Sequence, residues 1–277
     1  MIDLHCHSAA SDGLLPPREV VRAAALAGLA TIALTDHDTT AGLDEAVRAG
    51  GESGVGVIGG CEFSVRVDWG EMHLLAYFID PGDVEIERFL VAARADRERR
   101  AREMVNRLVG LGIVISYDDV RAGAAGAAIG RPHVARAMHR LGHVASLQAA
   151  FDGYIGRGRP AFVEKELPTL RAVADLVHRR GGVVSAAHLK LRGTRTTLQR
   201  LKADGLDAVE TRHPSHSPDM IANLTDAAQA LDLGRSGGSD WHGERDPADT
   251  HAALGSQQVP GEWLADLDRR RPPRAME

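Results

Sequence analysis

Two histidines one residue apart, His5 and His7 in the run Asp3-Leu4-His5-Cys6-His7, are the first residues of the chain whose types and spacing suit chemistry. On a strand, alternate side chains share a face, so both imidazoles project one way and Cys6 the other, as in a metal-binding pair. Further ligand-type residues follow: Asp12 in Ser11-Asp12-Gly13, His37 in Thr35-Asp36-His37-Asp38, Glu62 after Gly60-Cys61, His73, His188 after Ala187, and Asp240 and His242 in Ser239-Asp240-Trp241-His242. Nitrogen and oxygen donors without thiolates suit Mn, Fe or Zn, and shared carboxylates hold metals close together. A single histidine is more often a surface or core residue than a ligand, so position along the chain has to carry the argument.

The elements that must carry these residues supply that position. Short apolar runs with β-branched residues alternate with longer helical patterns, the signal for β-α units around a mainly parallel sheet. Strands are predicted at about 2–6, 31–35, 56–61, 72–78, 182–187, 207–211 and 234–238. Between the first two, Pro16 and Pro17 open a helix running to Gly28, a residue suited to a left-handed cap. Nearly every predicted strand delivers a ligand-type residue at or near one end, where a structural role would call for apolar or turn residues. A parallel barrel gathers its strand ends into one ring, so these residues converge.

Between roughly 84 and 160 the pattern turns helical: a charged helix through Arg94, Arg97, Arg100 and Arg107, a Gly/Ala-rich connector at 122–130, and helical stretches near 132–141 and 146–155. This reads as an insertion emerging from a barrel loop. Its arginines interleave with Asp96, Glu98 and Glu103, which predicts a solvated face with i,i+4 pairs. The tail after Arg269 reads as a solvated end.

The bulk numbers agree with one α/β barrel plus an insertion in 277 residues, with 44% hydrophobic but only 4% aromatic residues favouring an aliphatic core. A formal charge of -5 disfavours binding of long nucleic acid. Two cysteines, Cys6 and Cys61, exclude a disulfide scaffold and suit a reducing compartment. No segment is long and apolar enough for a membrane span, and a strand starting at residue 2 leaves no room for a leader, so a cytoplasmic location is expected.

Taken in order, DLHCHSAASDG, ALTDHDT, GGCEFS, His73, AAHL and GGSDWHG resemble the polymerase and histidinol phosphatase (PHP) domain family over almost the whole chain. The resemblance implies an α/β fold, a distorted seven-stranded (β/α)7 TIM-like barrel that holds two to three divalent metal ions. The segments GRPHVARAM and FDGYIGRGRPAFV resemble the helical cap of the stand-alone nucleotide-phosphatase branch. On that basis residues 1–83 and 161–277 form the catalytic barrel and 84–160 the cap. Carried over by position, His5, His7, Glu62 and Asp240 hold one metal, Glu62 bridges to a second held by His73 and His188, and Asp12, His37 and His242 hold a third. Leu189 stands where the family usually has proline, and Trp241 where it usually has phenylalanine; neither change removes a ligand.

The resemblance also implies a metal-dependent phosphoesterase working through a metal-activated hydroxide. His216 is the candidate proton donor, favoured over His213; Asp12 is counted with it among the catalytic residues. Arg131 and His133 are candidates to bind a phosphate, a role that guanidinium forks suit, and His216 is counted with them among the substrate-binding residues. His139, His143, His178 and His251 stay outside the site. The expected reaction is hydrolysis of a small nucleotide monoester, such as the 3′-phosphate of a nucleoside 3′,5′-bisphosphate. Alternatives are a 5′-3′ exonuclease on short oligonucleotides, a histidinol phosphate phosphatase, and a non-catalytic metal-binding module that tethers a partner. The expected partner is a small phosphorylated substrate, with neither long nucleic acid nor membrane involved.

Overall fold

The computed structural model describes residues 1–124, 129–243 and 252–274. Seven strands lie in sequence order in one sheet: β1 (Ile2–Cys6), β2 (Thr31–Leu34), β3 (Gly56–Val67), β4 (Gly70–Tyr77), β5 (Val183–Ala186), β6 (Ala208–Arg212) and β7 (Gly234–Gly237). Beyond β7 the chain returns to β1, where the His7 amide donates to the Trp241 carbonyl at 2.9 Å and the Asp240 amide to the His5 carbonyl at 2.8 Å. The sheet is thereby nearly closed into a barrel, at the end that carries the ligand-type residues. Gly238 permits this approach, since a Cβ there would lie 2.4 Å from both the Cβ and the backbone nitrogen of His5.

Outside the strands lie α1 (Pro17–Leu26), α2 (Leu43–Ser53), α7 (Leu170–Arg179), α8 (Arg195–Ala203), α9 (Pro218–Ala230) and α10 (Gly261–Arg269). Between β4 and α7 come α3 (Val84–Gly110), α4 (Tyr117–Ala124), α5 (Arg131–Arg140) and α6 (Leu147–Ala150), the last continuing as a wide π-type turn over Phe151–Ile155. Part of the Gly/Ala-rich connector, 125–128, lies outside the described residues, as does His251. The hydroxyls of Thr169, Thr194 and Ser217 accept amide hydrogen bonds that cap α7, α8 and α9, so the segments leading into those helices end at defined points. As expected, Pro17 opens α1 and Gly28 follows it at φ 73°.

All seven predicted strands are present, but β3 extends to Val67 and turns back through Asp68 and Trp69 into β4. β4 is antiparallel to both β3 and β5, while the remaining pairs are parallel. This inversion explains why His73 acts from within its strand. The early half of β4 lies at the barrel end where the parallel neighbours finish.

Small aliphatic residues fill the interior, as the composition predicts. Val20, Ala24, Leu43, Val173, Val177 and Leu198 from the helices pack on Ile32, Leu34, Val184 and Val209 of the strands. A second cluster centres on Leu4, Leu75, Tyr77, Trp263 and Leu267. A third is confined to the helical region, with Met104, Leu108, Val134, Met138 and Ile155. The 27-residue α3 is shared: Ile86 and Leu90 belong to the barrel core, whereas Ala101 to Leu108 serve the helical cluster. Each fully buried Leu or Met contributes roughly 1.5–3 kcal/mol of transfer free energy, so α3 is anchored on both sides.

One surface expectation is corrected. Arg102 and Arg107 do make i,i+4 pairs with Glu98 and Glu103, but Arg97 and Arg100 are buried. Arg97 pairs with Asp38 of the barrel and Arg100 Nε donates to the Val163 carbonyl, because this face of α3 packs over the barrel mouth. The tail is exposed, as expected, and through Arg274 it also touches the barrel. Arg271 Nε donates to the Gly181 carbonyl at 2.8 Å, its guanidinium lies 4.6 Å from the Phe78 ring centroid, and Arg274 pairs with Asp80. Among the described residues no helix is long and apolar enough to cross a membrane.

Candidate metal centre

The sequence-distant histidines and carboxylates meet around one buried group, Glu62 at the bend of β3. Its Oε2 lies 3.2 Å from Nε2 of His5, Nε2 of His7 and Nδ1 of His37. Its Oε1 lies 2.8 Å from His73 Nδ1 and 3.1 Å from His188 Nε2. Asp240 Oδ1 adds contacts of 3.3 Å to His5 and 3.1 Å to His7. On the far side of His7, Asp12 faces His242 at 3.3 Å and His37 at 3.8 Å. All nine residues predicted as ligands therefore share one site, and the rings of His7 and His242 stack with centroids 4.3 Å apart.

Backbone conformation at the loop starts aims these groups. Asp38, His188 and Asp240, each in or beside the cluster, have φ of 49°, 30° and 52°. Non-glycine residues rarely adopt this left-handed region, and such strain concentrates at functional sites. Asp36 holds the first loop by accepting from the Ser8 amide at 2.8 Å and from the hydroxyls of Ser8 and Ser11 at 2.6 Å.

The electrostatics are those of a cation receptor. Burial opposes ionisation of Glu62, Asp12 and Asp240, yet the surrounding imidazoles hold all three carboxyls well below their usual range. Burial likewise works against a charged His7 and His73, but the same carboxylates lift them to about 10 and about 9. Burial drives His37 the other way, to about 3. Three buried ring nitrogens remain unmatched by hydrogen bonding: Nδ1 and Nε2 of His7 and Nδ1 of His37, of which His7 Nε2 and His37 Nδ1 have carboxylate oxygens nearby but out of alignment. Anionic carboxylates with unaligned imidazole nitrogens fit a divalent cation, which would displace the bound protons. Groups drawn from these residues offer ligand atoms mutually within 4.8 Å, namely His7, Asp12, His37 and His242; His5, His7, Glu62 and Asp240; and His37, Glu62 and His73.

Of the other predicted site residues, His213, His216 and His133 sit around this cluster. His216 is buried, with Nδ1 donating to the Thr211 carbonyl at 3.0 Å and Nε2 accepting from the Lys190 amide at 3.2 Å. His213 reaches further in, its Nε2 3.4 Å from Asp240 Oδ2. His133, driven down to about 4 by burial, is neutral and accepts the Gly130 amide on Nδ1 at 3.0 Å, which caps α5. Arg131 stands between the Phe151 and Phe162 rings, 5.9 Å from each centroid. From the same helix Arg136 donates to the Asp12 carbonyl at 2.7 Å, so α5 touches the cluster directly.

Sequence reasoning missed the carboxylates behind the ligands. Glu210, fully buried on β6, faces His5 Nδ1 at 2.9 Å and accepts the His188 amide at 2.7 Å. Glu71 faces His73 Nε2 at 3.2 Å and pairs with Lys165. A carboxylate on the outer nitrogen fixes the tautomer and leaves the inner nitrogen a ligand. For Glu71 the signal was its spacing, since residues two apart on a strand share a face with His73.

The chain is similar to known proteins over most of its length. The family profile of the PHP domain matches residues 3–81. A 5′-3′ exoribonuclease of Haemophilus influenzae is 36% identical over 245 residues, covering 87% of this chain and 89% of that protein. A 3′,5′-nucleoside bisphosphate phosphatase of Chromobacterium violaceum is 34% identical over 249 residues, covering 87% of each. Among solved structures, a protein from Bifidobacterium adolescentis described as a metal-dependent phosphoesterase superposes with a TM-score of 0.88 at 33% identity, covering 98% of this chain and 96% of its own. A Chromobacterium violaceum protein described as an amidohydrolase, with bound sulfate and no metal, gives 0.84 at 30% identity, with 98% coverage of both. The chain belongs to the PHP domain family.

Proposed function

We propose that this chain is a metal-dependent phosphoesterase that hydrolyses phosphate monoesters of small nucleotides, with the 3′-phosphate of a nucleoside 3′,5′-bisphosphate as its leading substrate. Glu62 carries the reading: one buried carboxylate joins two groups of imidazoles, His5, His7 and His37 on one oxygen, His73 and His188 on the other. His5, His7, Glu62 and Asp240 would hold one ion, Glu62 with His73 and His188 a second, and Asp12, His37 and His242 a third. Mn, Fe or Zn suits these donors. Bound there, such ions lower the pKa of water towards neutrality and stabilise charge on phosphoryl oxygens.

The chain's own residues do the rest. Arg131, without a carboxylate partner among the described residues, offers its fork to phosphate oxygens at the helical side of the site, and His133 holds the start of that helix. The leaving oxygen takes its proton from the loop between β6 and α9. His216 is the proposed donor, a role for which its Nε2 must exchange the Lys190 amide for a proton; His213 is the second candidate, already facing Asp240. Two free, buried cysteines support a reducing, cytoplasmic setting.

A second reading, 5′-3′ exonuclease action on short oligonucleotides, is favoured by the names of relatives that are 36% and 31% identical. One assay separates the two. Metal-loaded protein is given a nucleoside 3′,5′-bisphosphate, nucleoside monophosphates, a 5′-phosphorylated oligoribonucleotide and histidinol phosphate, and products are resolved. The highest kcat/KM should be for the bisphosphate, with release of inorganic phosphate. Faster liberation of mononucleotides from the oligomer would transfer the assignment to the exonuclease, and inertness towards every ester would leave a non-catalytic metal-binding module.

A further inference from the structure

The segment returning from the helical region to the barrel brings a lysine up behind His73. It is seated on the outer end of β3, where the Arg66 amide donates to the Pro168 carbonyl at 2.7 Å and Arg66 forms a parallel bridge with Thr169. Across the β3–β4 ladder, Ser64 stands opposite His73 and Arg66 opposite Glu71. Lys165 reaches into this corner, donating to Ser64 Oγ at 2.9 Å and to Glu71 Oε1. The same Oε1 lies 3.2 Å from His73 Nε2, and His73 Nδ1 lies 2.8 Å from Glu62 Oε1. The lysine side chain is 11% exposed.

This chain of contacts has a direction. With Nε2–H donated to Glu71, the proton of a neutral imidazole stays on the outer nitrogen, and Nδ1, on the Glu62 side, is the nitrogen that would ligate. Glu71 stands near the start of β4, just past the hairpin turn, and its Oε1 meets both His73 and Lys165. Asp38, whose charge also acts on Lys165, is itself paired with Arg97. Lys165 and Glu71 therefore hold each other, and the pair faces the back of one ligand.

We propose that Glu71 and Lys165 are positioning residues for His73, so that the return segment of the helical insertion sets the metal affinity of the position formed by His73, His188 and Glu62. The proposal rests on reading the cluster as a metal centre and requires no particular substrate.

The test compares Lys165→Met, Lys165→Arg and Glu71→Gln with the unmodified chain. Metal content and chelator competition with Mn and Zn are measured without substrate, beside thermal unfolding and kcat/KM. Lys165→Met and Glu71→Gln should each weaken the most readily lost ion by about 10–100-fold, and Lys165→Arg should restore most of that loss. Unchanged affinity in Lys165→Met and Glu71→Gln overturns the proposal, also if kcat/KM falls, because the lysine would then be acting on substrate. Should Lys165→Met not fold, Glu71→Gln decides: a metal affinity within twofold of the parent refutes the proposal. Since binding is read without substrate, failure to hydrolyse any ester would overturn the phosphoesterase reading and leave the His73 result standing.

Discussion

Removing the Arg97 charge should loosen the helical insertion from the metal centre by a calculable amount. Arg97 reaches from α3 to Asp38 with Nε and Nη2 at 2.6 and 2.5 Å from Oδ2, and both side chains are less than a tenth exposed. Asp38 follows the ligand-type His37 and accepts the Ser64 amide on its other oxygen at 3.1 Å. Arg97→Met keeps the aliphatic bulk and strands the carboxylate, a change that costs about 3–5 kcal/mol. Protonation sets a ceiling: neutralising a carboxyl of ordinary pKa near 4 at pH 7 costs roughly 4 kcal/mol. At about 2–4 °C per kcal/mol for a chain of this size, the melting temperature should fall by roughly 6–16 °C. Burial raises and Arg97 lowers the Asp38 pKa, with a net lowering, so the pair's contribution is present above the ordinary carboxylate range and lost as pH falls through the lowered folded value. In Arg97→Met the deficit should shrink towards pH 4, because the stranded carboxyl takes up a proton. Arg97→Met/Asp38→Asn should recover most of the loss at pH 7. Thermal melts from pH 4 to pH 8 check this. A drop below about 3 °C at pH 7 would mean a pair no stronger than a solvated one and would refute the reasoning.

Three further outcomes follow from the same geometry. Glu210→Gln keeps the volume but presents an amide donor to either His5 Nδ1 or the His188 amide, so metal affinity should fall about 10–100-fold; a titration indistinguishable from the parent would remove Glu210 from the site. Gly238→Ala drives a Cβ into the backbone of His5, so stability should fall by about 1–3 kcal/mol or more, with loss of hydrolysis; a stable, fully active variant would contradict the close approach of β7 to β1. Hydrogen bonding to Asp207, at 2.7 Å, raises the His178 pKa. That stabilisation should be complete below the ordinary histidine range and vanish as pH rises through the raised value. His178→Gln should therefore lose stability at pH 5.5 but not at pH 9, as urea unfolding at the two pH values would reveal.

Local patterns made some of this site legible and hid the rest for identifiable reasons. His5, His7, His37 and His188 announced themselves because strand ends were readable from apolar runs, and a barrel needs no more than that to bring them together. Their outer partners were hidden by the sheet's own alternation. Glu210 in Ala208-Val209-Glu210-Thr211-Arg212 reads as the polar face of a half-exposed strand, and only closure of the barrel turns that face inward. Arg97 was obscured differently. Its neighbours Asp96 and Glu98 suggest a solvated run, yet it continues the stripe formed by Ile86, Leu90, Ala101, Met104 and Leu108, all buried on one side of α3. A charged residue on an apolar stripe points to a buried partner rather than to solvent, and Asp38 fills that role. Along this helix the periodicity, not the charges, marks the buried face. The same logic separates the two lysine-free ends of the return segment from its middle: Val163 packs into the helical core and Thr169 caps α7, so Lys165 between them is held facing the hairpin, and its charge must be met there by Glu71.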